Sequence, residues 1–156
     1  MIKIRKGIKS DLPFVLDLIK ELADYENELS EVDISLRQLE TDGFDEKSIF
    51  EFIVAEKNNK IIGMALYYIK YSTWKGKCLF LEDLIVNKKH RRSGVGSSLF
   101  EAIINTAKKT NMKRVMWQVL DWNQPAINFY KKYNAHINNN WLDGKLIKPQ
   151  IDAFQL

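Results

Sequence analysis

The chain has 156 residues, 46% of them hydrophobic, a length and composition suited to one compact domain with a substantial core. A single cysteine excludes an intrachain disulfide, and the longest apolar stretches (61–69 and 79–86) are broken by Gly63, Glu82 and Asp83 and too short to span a membrane. A net charge of +4 from 24 basic and 20 acidic residues is too mild a bias to indicate a nucleic-acid partner.

Ile2–Lys6 begins with the apolar–polar alternation of a half-buried strand. Lys3, Arg5 and Lys6 interrupt any secretory signal there, so a cytoplasmic location is the expectation. Ser10 or Asp11 can cap a helix that tolerates Pro13 in its first turn and gathers Phe14, Val15, Leu18, Ile19 and Leu22 on one face. Leu36 and Leu39 predict a short second helix, with Gly43 as its stop. Residues 50–56 and 60–71 read as two strands of a hairpin around Asn58 and Asn59, and 77–86 as a third strand after a loop at 74–76. After Gly94 and Gly96, Val95, Leu99, Ile103 and Ala107 recur at helical spacing. A strand over 114–119 follows, then a helix capped by Asn123 with Pro125 in its first turn and a left-handed stop at Asn134. The residues beyond, through Phe154, are expected to form two closing strands. The resulting order, β-α-α-β-β-β-α-β-α-β-β, is that of a single mixed α/β domain over 1–156.

Charge is unevenly distributed. Lys88, Lys89, His90, Arg91 and Arg92 form one cluster, and Glu21, Asp24, Glu26, Glu28, Glu31 and Asp33 form an acidic stretch. Such a pair of patches suits an anionic cofactor and a cationic substrate, although both also suit plain solvated surface. The basic loop runs through Arg91-x-x-Gly94-x-Gly96 into the helix. Two glycines allow a tight turn and a close approach of backbone to ligand, while the free N–H groups of the first helical turn favour an anion. With the arginines, this makes a pyrophosphate site; a glycine-rich turn before a helix is also compatible with a structural turn. It is neither a P-loop nor a dinucleotide fingerprint.

This arginine-first loop after a strand resembles the coenzyme A pyrophosphate loop of the GNAT superfamily of N-acetyltransferases. The segment from Trp122 through Asn123, Gln124 and Pro125 to Phe129 and Tyr130 resembles that family's capped helix ending in an aromatic pair. Leu81-Glu82-Asp83, the run from Lys20 to Glu26, and Trp74-x-Gly76-Lys77 narrow the resemblance to the diamine branch, with its spermidine/spermine and thialysine acetyltransferases. The resemblance covers nearly the whole chain and is weakest over its last twenty or so residues. It implies the acyl-CoA N-acyltransferase fold, a twisted, mostly antiparallel sheet flanked by helices, and acetyl-CoA as cosubstrate with no metal.

It also implies roles. Leu84, Ile85 and Val86 would line the pantetheine arm, and a strand N–H there would polarise the thioester carbonyl. Arg91, Arg92, Ser93, Gly94, Val95, Gly96 and Ser97 would hold the pyrophosphate, and Asn123, Gln124, Pro125, Ala126 and Tyr130 the thiol end. Tyr130 would be the general acid, a phenol of pKa about 10 being protonated at neutral pH. Glu82, in mid-strand among apolar residues, would bind the substrate ammonium or help remove its proton; pairing with a lysine across the sheet is its other reading. Tyr25 and Glu26 would form one wall of the amine site and Met116, Trp117 and Gln118 the other, while Trp74 and Trp141 would pack either on substrate or in the core. His90 and His136 have no metal-binding spacing.

Two departures bear on the acceptor. Asn138, Asn139 and Asn140 precede Trp141, and Ser72 lies ahead of Trp74, where polyamine-acetylating members carry acidic residues. A short diamine, thialysine or another lysine-like amine is therefore favoured over a long polycation. A protein or peptide acceptor and a non-catalytic CoA sensor are the competing readings. The resemblance implies a homodimer, its last strands contributing to the interface, and the charge and apolar pattern lead us to expect no nucleic-acid or membrane partner.

Overall fold

A computed structural model describes residues 1–155. The chain divides into two compact units, Met1–Gln118 and Val119–Leu156.

The first unit is built on a five-stranded sheet in chain order: β1 (Ile2–Lys6), β2 (Glu51–Lys57), β3 (Lys60–Ser72), β4 (Gly76–Val86) and β5 (Val115–Met116). The first four pair antiparallel, and β5 joins β4 in parallel. The β2–β3 turn uses Asn58 and Asn59 at φ 51° and 59°, the left-handed pair that a two-residue hairpin requires and asparagine tolerates.

Before α1 (Leu12–Tyr25), Asp11 accepts the Ile8 N–H at 2.9 Å and the Arg5 guanidinium through both carboxylate oxygens at 2.7 and 2.9 Å. Asp11 thus fixes the chain entering the helix rather than capping its first turn. Ser35 does cap α2 (Leu36–Phe44), accepting the Gln38 N–H at 3.1 Å. Gly43 lies inside that helix instead of ending it. Its absent side chain makes room for Phe50, whose ring stands 2.6 Å from where a Cβ would be.

Alternation divides the core between the two faces of the sheet. Phe52, Val54, Met64, Leu66 and Ile85 meet Leu12, Val15 and Leu18 of α1 and Leu39 of α2. On the opposite face lies α3 (Val95–Lys109), which buries Val95, Leu99, Phe100, Ile103 and Ala107. Leu99 stands 3.2 Å from a Cβ built on Gly63, so helix and sheet meet closely because Gly63 lacks one. Trp117 packs edge-on against Phe100, with centroids 5.4 Å apart.

The second unit contains α4 (Gln124–Lys131) and the short α5 (Lys148–Asp152). Asn123 caps α4 by accepting the Ala126 N–H at 3.3 Å, and Asn134 takes φ 56° beyond it. Two expectations are corrected here. The strand expected over 114–119 shrinks to the two residues of β5, and no strand follows it among the described residues. Where two closing strands were expected there is irregular chain and then α5, which Pro149 enters in its first turn. The apolar residues Trp141, Leu142, Leu146 and Ile147 mimic strand composition, but they pair with no strand among the described residues.

Candidate active site

The pairing of β5 with β4 stops at Phe80↔Met116, so from Leu81 to Val86 no strand lies on that side of β4 among the described residues. A run of backbone N–H and C=O groups is left without a strand partner there, and Leu84, Ile85 and Val86 belong to it.

The same stretch carries an irregularity. Leu66 opposes Asp83 whereas Tyr67 opposes Leu81, so Glu82 is an extra residue in β4, a β-bulge. In a regular strand Asp83 would share a face with Leu81. The bulge instead turns Asp83 to the face of Leu66, towards α1. Glu82 is exposed rather than buried in the apolar run, and its charge acts on Tyr68. Asp83 is half-buried; burial first, then the charges of Glu82 and Glu26, push its carboxyl pKa up from 3.8 to about 7. Burial and the charge of Glu28 also raise Glu26. Tyr68 is raised in turn by burial and by the charge of Glu82. Glu26 at the end of α1 and Glu82 and Asp83 in the bulge thus form one interacting group of carboxylates, with the exposed Tyr25 adjoining it in sequence.

Asp83 and Tyr68 are the functional candidates that sequence reasoning missed. A carboxylate inside an apolar run is as visible in sequence at Asp83 as at Glu82, and the bulge decides which of the two the strand buries.

The basic loop is held by α1. Glu21 accepts the Asn87 side-chain N–H at 2.8 Å, the Lys88 backbone N–H at 2.7 Å and the Arg91 guanidinium at 3.3 Å. Arg91 also donates to the Val86 carbonyl at 2.9 Å, and its guanidinium lies 5.4 Å from the centroid of the Tyr25 ring. Its side chain is thereby committed to the loop's own architecture. Past it the backbone turns through Arg92 at φ 60° and Gly94 at φ 81°, and a Cβ on Gly94 would meet nothing within 4 Å. Ser93 donates to the His90 carbonyl at 2.6 Å. The first helical bond of α3 runs from Ser98 N–H to Gly94 C=O at 3.0 Å, so the amides of Val95, Gly96 and Ser97 have no helical acceptor. Open space, a positive helix end and free donors fit a pyrophosphate.

Met116 lies in β5, and Gln118 is exposed at the end of the first unit. Trp117 is partly committed to its contact with Phe100. In the second unit Asn123 and Tyr130 are buried, with Tyr130 edge-on to Phe129 at 5.2 Å. Gln124 donates to the Asn128 side chain at 2.8 Å, Pro125 is exposed and Ala126 half-buried. Trp74 and Trp141 are both exposed, which removes their core reading. No group of three His, Cys, Asp or Glu able to hold a metal occurs among the described residues, and no helix there is long and apolar enough to cross a membrane.

The chain matches the acetyltransferase (GNAT) family over residues 15–135. It belongs to the GNAT acetyltransferase family. Among similar proteins, a thialysine N-epsilon-acetyltransferase from Bos taurus is 35% identical over 142 residues, covering 86% of this chain and 84% of that protein. A spermidine/spermine N(1)-acetyltransferase-like protein 1 from Homo sapiens is 34% identical over 140 residues, 85% of this chain and 20% of its own length. The fold itself is shared with an integron cassette protein from the mobile metagenome of V. cholerae, with TM-score 0.78 and 22% identity over 97% of this chain and 95% of that one. This GNAT acetyltransferase is accordingly a transferase with a mixed sheet flanked by helices, and acetyl-CoA is the cosubstrate of its family.

Proposed function

We propose that this GNAT acetyltransferase transfers the acetyl group of acetyl-CoA to the primary amine of a small molecule, a diamine, thialysine or another lysine-like amine. The observation that carries this reading is the grouping of Glu26, Glu82 and Asp83 beside the unpaired edge of β4, where an ammonium would find opposite charge and a group able to accept its proton. The thialysine and spermidine/spermine names of the relatives point to the same class of acceptor.

Acetyl-CoA supplies a thioester whose carbonyl carbon the neutral amine nitrogen attacks. Arg92, Ser93, Gly94, Val95, Gly96 and Ser97 hold the pyrophosphate, chiefly through backbone donors, while Arg91 holds the loop. A backbone N–H among Leu84, Ile85 and Val86 donates to the oxygen on which negative charge develops. Because an alkylammonium has a pKa of about 10, it must lose a proton before attack, and Asp83 and Glu82 are the acceptors offered. As the carbon–sulfur bond breaks, Tyr130 donates its phenolic proton to the thiolate. Asn123, Gln124, Pro125 and Ala126 contribute to the thiol end of the site, and Tyr25, Met116, Trp117 and Gln118 to the walls around the amine.

Further parts of the reading are that both units act as one domain, consistent with a family match running through both, and that the protein is a cytoplasmic homodimer. Exposed Trp141, Leu142 and Phe154 offer apolar surface for the dimer contact.

The test is thiol release from acetyl-CoA against spermidine, putrescine, thialysine, lysine and a basic peptide. Release with a small amine, reduced about 100-fold in kcat by Tyr130→Phe, is expected. Release with the peptide alone would reject the acceptor class.

A further inference from the structure

Alternation along β3 puts Met64, Leu66, Tyr68 and Lys70 on one face of the sheet. Met64 and Leu66 are buried in the core with α1 and α2, and Lys70, further along, is exposed. Across the ladder Tyr68 faces Phe80 and Lys70 faces Cys78. The Tyr68 and Phe80 rings lie 5.2 Å apart, and the Lys70 ammonium sits over the Phe80 ring, 5.0 Å from its centroid. At the other end of the row Asp83 shares this face opposite Leu66, and the charge of Glu82, the extra residue beside it, acts on Tyr68. Carboxylates, two rings and a cation thus follow one another on a single face.

Such a row has a polarity. An ammonium drawn to the carboxylates lays its aliphatic stem along Tyr68 and Phe80 and brings its far end towards Lys70. Leu66, which opposes Asp83, and Lys70 are four residues apart, about 13 Å along the strand, a span that a short stem and the long Lys70 side chain cover together. A second ammonium at that end meets a like charge, and a carboxylate meets an opposite one. The ring under Lys70 favours keeping the cation in place.

We propose that Lys70 is a specificity-determining residue, selecting amines that carry a carboxylate at the far end of a short aliphatic stem over diamines and polyamines. The inference rests on the amine site proposed above and narrows its acceptor.

Three acceptors with a five-methylene stem test it: 6-aminohexanoate, hexylamine and pentane-1,5-diamine, which end in a carboxylate, a methyl and an ammonium. In wild type kcat/KM should fall in that order. Lys70→Met should shrink the ratio between the carboxylate and the diamine by about tenfold and leave hexylamine within about twofold, while Lys70→Arg keeps the wild-type ratio. A ratio unchanged in Lys70→Met, or hexylamine falling in step with the others, would overturn the role of Lys70. Wild type acetylating all three equally would do the same while leaving the small-amine reading intact. Tight CoA binding without turnover of these three or of any other small amine would overturn that reading, and the inference with it.

Discussion

Asp83 and Asp11 are both aspartates on the α1 side of the sheet, and their surroundings drive them in opposite directions. At Asp83 burial and two neighbouring carboxylates outweigh everything else, and the proton is held up to about pH 7. A carboxyl whose folded pKa is raised contributes its stability at low pH and loses it as pH rises through that value. Asp83→Asn should therefore be nearly neutral for stability at pH 4 and stabilising at pH 8. The gain should be about 2 kcal/mol, roughly half of what the rise from 3.8 to about 7 would give, because the group is only partly buried. Thermal melts across that range check it, and the same variant should slow acetyl transfer if Asp83 takes the amine's proton. At Asp11 burial acts upward too, but the Arg5 guanidinium and the Ile8 N–H outweigh it and hold the carboxyl below its usual 3.8. That contribution is present above the ordinary carboxylate range and disappears as pH falls through the folded value. Asp11→Asn should cost about 3 kcal/mol at pH 7 and much less near pH 3, measured by urea unfolding.

Two elements depend on features smaller than themselves. In β4 the single extra residue, Glu82, decides which face Asp83 occupies, so the acidic group at the site is a product of the bulge. Between β4 and α3 the loop is fixed from outside, by Glu21 on α1. Glu21→Ala removes three accepted hydrogen bonds and should raise the KM for acetyl-CoA about tenfold with a smaller change in kcat, read from initial rates. Gly63 is the corresponding point for packing. A Cβ there would stand 2.9 Å from the Ile85 carbonyl oxygen, so neither partner has a flexible end that can give way. Gly63→Ala should cost about 2 kcal/mol in thermal or urea unfolding.

At the scale of the molecule, the apolar surface of the second unit is the feature that an isolated chain leaves unexplained, with Trp141, Leu142 and Phe154 all exposed. If these residues form the homodimer contact, Trp141→Ser with Leu142→Ser should convert a dimer to a monomer in sedimentation equilibrium. The melting of the sheet unit should change little, because its core residues all lie before Gln118.

Much of this protein could be read directly from its residues, because the relevant physics is local. Helical spacing located α1, α2 and α3, paired asparagines set the β2–β3 hairpin, and Asn123 with Pro125 marked the start of α4. The arginine–glycine pattern before α3 marked the turn and the helix start, which depend on a few adjacent residues. Contacts between distant segments were not legible in this way. The bulge at Glu82 depends on register against β3, the commitment of Arg91 depends on Glu21, seventy residues away in sequence, and the Lys70–Phe80 contact depends on ladder pairing. The two closing strands failed for the same reason: apolar composition makes a segment able to pair, but a strand forms only where the tertiary structure gives it a neighbour.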